Sequence, residues 1–263
     1  MAMLGVVGAK GGCGTSLVAA NLAVAFSRRE RSLLVDLNPM RGCDDLLLNM
    51  RPSRSWLDLL PVADELTSTH LSKALDSTQS RLQLLAAPPE LVGVELYPRI
   101  AELVTSLQVF SPWVTVDLPS GDPALSLLTA ARCDALLIVS TADAPALRAC
   151  RRLLEALPAE QHSGTYLALN QIRRGHPADP RTLASSLGLP IVGALPPDMR
   201  SVGKQVAFGF PAALDKGSAF GRAVRAMAER IAQVAREGTR EGVRPPPAFQ
   251  DVVEGGSEEE AEG

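Results

Sequence analysis

The chain lacks any arrangement of cysteines that would hold a metal or a disulfide framework. Its four cysteines, Cys13, Cys43, Cys133 and Cys150, are scattered, and no CxxC pair occurs. That spacing excludes zinc-ribbon and zinc-finger chemistry. A chain of 263 residues can bury a core without disulfide staples, so a reducing cytoplasm suits it. No stretch approaches the ~20 apolar residues of a membrane span, so no integral membrane segment is expected. The glycine-rich segment begins at Gly8, so no signal peptide is expected. No internal repeat is present. A strong charge excess is missing too, because the net charge is only −3. The six acids from Asp251 to Gly263 supply much of that negative charge, and without them the body is mildly basic. So mild a balance does not by itself argue for nucleic acid as a partner.

What is present is an alternation of short apolar runs with helical stretches. Strands are expected at Met3–Val7, Ser32–Asp36, Leu82–Ala86, Trp113–Asp117, Ala135–Ser140, Thr165–Asn170 and Ile191–Ala194. Helices are expected at 16–28, Pro98–Val109, Pro123–Ala131, Ala144–Leu157, Pro180–Leu187 and Ser218–Arg236. Runs of Val, Leu and Ile without polar alternation suit strands covered on both faces. The expected fold is α/β, a three-layer arrangement in which a mostly parallel sheet is flanked by helices. In the last helix, Phe220, Val224, Met227, Ile231 and Val234 make an apolar stripe, and Arg222, Arg225, Glu229 and Arg236 lie off it. A closing helix docked on the body accounts for that pattern. One nucleotide-binding domain is expected over residues 1–240. The Pro-rich and acidic residues 241–263 read as a disordered tail.

The first strand runs into Gly8-Ala9-Lys10-Gly11-Gly12-Cys13-Gly14-Thr15-Ser16, and a helix follows. Strand, glycine turn and helix together make a phosphate site. Backbone N–H groups point inward, and the helix N-terminus adds partial positive charge. The usual P-loop pattern is G-x-x-x-x-G-K-[ST]. Here Ala9 stands at its first glycine and Thr15 at its lysine, while Ser16 keeps the hydroxyl that reaches Mg²⁺. Gly11, Gly12, Cys13, Gly14, Thr15 and Ser16 are the expected phosphate-binding residues, and a P-loop NTPase type of fold follows. The spacing of Gly11-Gly12-Cys13-Gly14 does not suit a G-x-G-x-x-G dinucleotide site.

The order K-G-G-x-G-x-[ST] resembles the deviant Walker A motif of the ParA/MinD family. Leu33 to Pro39 is similar to the family's V-D-x-D-P block, and Val114 to Gly121 to its Walker B strand and switch II. The resemblance implies ATP and Mg²⁺ as ligands and a homodimer with ATP at its interface. Lys10 would reach the partner's nucleotide, and Ser16, Asp36 and Asp117 would serve the metal. Leu167 to Asn170 resembles the strand whose terminal Asn170 reads adenine, and Pro196, Pro197 and Asp198 the loop lining the base. Plain turn chemistry is the alternative for both. Gly14-Thr15, Leu46 to Leu60, Leu84 to Pro88 and Ala142 to Arg148 are similar to the TadZ/CpaE subgroup. That subgroup organises Tad or Flp-type pilus and secretion machinery, so protein components of such an apparatus are the implied partners. A cytoplasmic protein, recruited to a pole or to the inner membrane face, is implied.

Two departures weaken the hydrolytic chemistry. Thr15 replaces the point charge that would stabilise a transferring phosphoryl group. Asn38 stands where the family has a water-positioning acid, and an amide cannot accept a proton as a carboxylate does. Slow or vestigial ATPase activity is expected, unless Asp44 or Asp45 takes over that role. Two rival functions remain open. A DNA-partitioning ATPase would need a clustered basic face, and Glu229, Glu237 and Glu241 interrupt the one around Arg222, Arg225, Arg230, Arg236 and Arg240. A MinD-like division-site ATPase would need a terminal amphipathic anchor. An iron–sulfur carrier of the same superfamily would need a paired CxxC.

Overall fold

The computed structural model describes residues 2–77, 81–173, 175–177 and 179–238. The expected tail at 241–263 lies outside the described residues. Eight strands form one sheet: β1 (Ala2–Gly8), β2 (Ser32–Asp36), β3 (Asp76–Ser77), β4 (Leu82–Leu85), β5 (Trp113–Leu118), β6 (Ala135–Thr141), β7 (Thr165–Asn170) and β8 (Ile191–Ala194). Their order is β3-β4-β2-β5-β1-β6-β7-β8. All neighbours are parallel except β3, which pairs antiparallel with β4.

Among the described residues, ten α-helices connect or cover the strands. They are α1 (Thr15–Ser27), α2 (Asp44–Leu47), α3 (Ser68–Ala74), α4 (Tyr97–Ser106), α5 (Pro123–Ala130), α6 (Ala144–Ala156), α7 (Ala159–His162), α8 (Pro180–Leu187), α9 (Met199–Phe208) and α10 (Ala219–Gly238). Because side chains alternate along a strand, each central strand feeds two cores. Leu4 and Val6 of β1 face one core with Val18, Leu22 and Phe26 of α1 and Phe220, Val224 and Met227 of α10. Met3 and Val7 face the other, with Ile100, Leu103 and Val104 of α4, Leu125 of α5 and Cys150 of α6. The three-layer expectation is therefore met.

Several stretches differ from the sequence expectation. Residues 56–65 form a 3-10 helix (Trp56–Glu65) that carries Pro61 within it. The expected helix Pro98–Val109 starts one residue earlier and tightens into a 3-10 turn at Leu107–Phe110. The helix α9 was absent from the expectation, because Met199, Val206 and Phe208 point outward instead of forming a buried stripe. The stripe of α10 does dock: Phe220, Val224, Met227 and Ile231 are buried, and Val234 is half-buried. Among the described residues no helix is long and apolar enough to cross a membrane.

A buried polar bridge ties α9 to α1. The Asn21 amide donates to the Gln205 side-chain oxygen at 2.7 Å, and the Ala213 and Ala212 amides donate to Asn21 and Gln205. Gln205 in turn donates to the Leu47 carbonyl. Each of these groups is fully hydrogen-bonded in a dry setting, which fixes α2 and α9 at the mouth of the glycine loop.

Candidate functional site

The site lies at the carboxyl ends of β1, β2 and β5, beside the point where successive connections change side of the sheet. In an open parallel sheet that is where ligands bind. The loop after β1 turns sharply into α1, with Gly12 at φ 81° and Gly14 at φ 85°. At Gly14 the left-handed backbone excludes most side chains, and a Cβ would also lie 2.5 Å from Asn170 Nδ2. No side chain caps α1, so its first N–H groups face the loop and leave a donor-rich cradle for an anion. A cleft of ≈ 440 Å³ opens there, lined by Gly12, Gly14, Ser16, Asn38, Leu46 and Val206, among others. A larger hollow of ≈ 590 Å³ lies on the other side of Asp36, toward Met40, Arg54 and Pro88, without such a backbone cradle.

Under the cradle sit three buried carboxylates. Asp36 and Asp117 are register partners on adjacent strands, so their side chains leave the sheet on the same face. Asp44 joins them from the start of α2, and one oxygen of each lies within 4.8 Å of the others. Ser16 Oγ donates to Asp117 Oδ2 at 2.7 Å. Asn38 ties the two strand acids together: its Nδ2 donates to Asp117 Oδ2 at 2.8 Å and to Asp36 Oδ1 at 3.2 Å. Its backbone N–H also donates to Asp36 Oδ1. Asp36 Oδ2 accepts from the Cys43 and Asp44 amides at 3.0 and 3.2 Å. That approach needs Gly42, where a Cβ would lie 2.7 Å from the same oxygen.

Two ionised carboxylates about 5 Å apart repel by roughly 3 kcal/mol even at an effective dielectric near 20. Burial pushes all three pKa values up, most for Asp44 and Asp117. The charge of Asp117 adds to the shift of Asp44, and that of Asp36 adds to both. At Asp36 burial outweighs the hydrogen bonds from Asn38, Asp44 and Cys43. Such a site calls for a cation: acid oxygens beside a P-loop hydroxyl fit a hard ion such as Mg²⁺. Asp36, Asp117 and Ser16 would hold it or its waters, where it would neutralise phosphate charge.

The other expected residues are placed as follows. Lys10 is half-buried on the outer turn of the loop. Its charge acts on Asp143 at the start of α6, whose carboxylate is held low first by the Thr141 hydroxyl and the Ala146 amide. Thr15 is buried at the start of α1, and Gly11 is exposed at the loop tip. Cys13 is buried beneath the loop, and its carbonyl accepts from Asn170 Nδ2 at 2.8 Å. Asn170 Oδ1 accepts from the Gln171 N–H, so this side chain braces the phosphate loop. Asp198 caps α9: it accepts from the Ser201 N–H, the Ser218 hydroxyl and the Phe220 N–H. Pro197 is exposed beside it. Asp45 lines the larger hollow and stands outside the three-acid cluster. The acid that sequence pattern placed only as an alternative, Asp44, is thus a member of the cluster. Its one signal was an Asp-Asp pair shortly after the Asp36 strand.

The fold matches that of known proteins. A ParA family ATPase from Chlorobium tepidum superposes with a TM-score of 0.76 at 22% identity, over 87% of this chain and 98% of that one. The fold is that of the ParA/MinD P-loop proteins. A septum site-determining MinD from Pyrococcus horikoshii, solved with Mg-ADP, superposes with a TM-score of 0.74 at 20% identity, over 92% of this chain and 99% of that one. In sequence, the septum site-determining protein MinD of Synechocystis is 26% identical over 209 residues, 75% of this chain and 76% of that protein. No protein-family model matches the chain.

Proposed function

We propose that the chain is a Mg·ATP-dependent dimer switch of the ParA/MinD kind with slow ATPase activity. The observation that carries the reading is the uncapped start of α1 beneath a left-handed glycine loop, with Ser16 bonded to a buried Asp117. That pairing of anion cradle and cation acids is what a nucleotide–metal complex requires. Nucleotide with Mg²⁺ in the Pyrococcus MinD structure supports it. Apolar side chains at the mouth of the cleft, Leu46 and Val206, are about two-thirds exposed, which suits burial against a second copy. Slow turnover follows from Thr15 and from the bridging of Asn38 between two acids.

Downstream, the TadZ/CpaE resemblance favours an organiser of a pilus or secretion apparatus acting through protein partners. The 26% match to MinD favours a division-site role instead. The α10 stripe is buried against the body, so that helix is not available as a membrane anchor in this fold. Recovery of partners with ATP and with ADP separates the two readings.

Light scattering with a non-hydrolysable ATP analogue tests the switch. The analogue should convert monomer to dimer, and Lys10→Ala should abolish the dimer while thermal stabilisation by the nucleotide persists. A folded protein whose melting is unmoved by millimolar Mg·ATP would sink the reading. An unchanged dimer in Lys10→Ala would remove Lys10 from the interface.

A further inference from the structure

We propose that Asp44 completes, with Asp117 and beside Asp36, a divalent-cation site that takes Mg²⁺ or Mn²⁺ without nucleotide. The case rests on an accounting of every carboxylate oxygen. Both oxygens of Asp36 are satisfied by backbone and amide donors. Asp117 Oδ2 is satisfied by Ser16 and Asn38. Three oxygens are left: Asp117 Oδ1 and both oxygens of Asp44 are buried with no hydrogen-bond partner. Asp44 and Asp117 are 0% and 1% exposed. A buried carboxylate without a donor is costly and rare, so such open valences mark the place of a ligand.

The ligand must be cationic and hard. The donors are oxygens only, and a small number of protein ligands completed by water suits Mg²⁺ and Mn²⁺. Neither ion pair among the described residues involves these acids, so no side-chain cation takes the role.

The same geometry explains Asn38. A carboxylate in its place would stand within hydrogen-bond distance of both Asp36 and Asp117, with nothing to separate the charges. The amide instead donates to both, and the third carboxylate of the cluster is that of Asp44. Gly42 makes this possible by letting the chain pass close to Asp36, whose oxygen then holds the Asp44 backbone. The acid count of the site is kept while one acid has moved. Because the ligands are carboxylates of the protein and water, with none from a nucleotide, the inference stands without the nucleotide reading.

The test uses the full chain, stripped with EDTA and free of nucleotide. Electron paramagnetic resonance of free Mn²⁺ should show one ion bound per chain, and the melting temperature should rise with Mn²⁺. Asp44→Asn keeps the shape and removes a charge. It should melt higher than the unmodified protein in EDTA, and its Mn²⁺ affinity should fall by at least about tenfold. Asp45→Asn, outside the cluster but with a charge that reaches Asp44, should change both readouts less than Asp44→Asn does. The proposal is overturned if the unmodified protein binds no Mn²⁺ below millimolar concentration, or if Asp44→Asn binds it as tightly. If Asp44→Asn does not fold, the Mn²⁺ stoichiometry and melting of the unmodified protein decide alone. Failure here leaves the nucleotide reading intact, since no nucleotide is present.

Discussion

The two flanks of the glycine loop treat their polar side chains in opposite ways. On the β2–β5 flank, Asp44 and Asp117 keep buried oxygens without partners. On the β7–β8 flank, the carboxylate and amide that sequence pattern assigned to the base are already engaged: Asn170 holds the loop and Asp198 caps α9. A buried carboxylate oxygen without a donor costs more than a buried hydroxyl such as that of Thr115 or Thr129, which also lacks a partner, whereas satisfied groups stabilise the fold itself. We propose that the first flank serves binding and the second support. Substitutions on the two should divide accordingly between loss of ligand and loss of stability.

The largest effect is expected from Asn170→Ala. It leaves the buried Cys13 carbonyl without its partner and removes the acceptor of the Gln171 N–H, which should cost about 2–3 kcal/mol in urea unfolding. The preference for ATP over GTP should not change. A variant that keeps its stability but loses that preference would break the comparison, since Asn170 would then read the base.

Asp198→Ala should cost less, about 1–2 kcal/mol, through loss of the α9 cap. Nucleotide affinity should move only a few-fold, because the carboxylate faces Ser201, Ser218 and Phe220. Isothermal titration beside urea melts would show it. A loss of affinity that outruns the loss of stability would move Asp198 to the binding flank.

The smallest effect concerns pH. Burial opposes ionisation of Asp198, but the Ser201 amide, the Ser218 hydroxyl and the Phe220 amide outweigh it and hold its pKa below the usual carboxylate range. Its folded pKa is depressed, so its contribution to stability is present above the unfolded value near ~3.9 and fades as pH falls through the folded one. The stability gap between the unmodified protein and Asp198→Asn should thus be constant near neutrality and shrink below about pH 4. A gap that persists into stronger acid would show that the cap does not depend on the charge.

Much of the fold was legible in the chain. The strands Ser32–Asp36, Thr165–Asn170 and Ile191–Ala194 fall where their apolar runs placed them, because strands buried on both faces carry unbroken Leu, Val and Ile. The shape of the glycine loop was legible too, since glycines between a strand and a helix report directly on backbone shape. Helix α9 was not: it exposes Met199, Val206 and Phe208 and is held by Gln205, a polar residue that no hydrophobic pattern singles out. The 3-10 segment Trp56–Glu65 escaped for a similar reason, as Pro61 breaks the helical period.

By itself the sequence determined the alternation of strands and helices, the glycine loop and the presence of acids at the ends of β2 and β5. These are local properties, set by side-chain periodicity and by the backbone freedom of a few residues. Which acids meet was decided only by the tertiary structure. Asp36 and Asp117 are 81 positions apart in the chain yet lie side by side, because β2 and β5 pair in register. Whether a carboxylate binds or merely supports depends on which donors other elements bring to it. Asp44 and Asp198 are the same residue type at the start of a helix, and one is unsatisfied while the other is saturated. That difference is a property of packing, which no single stretch of chain carries.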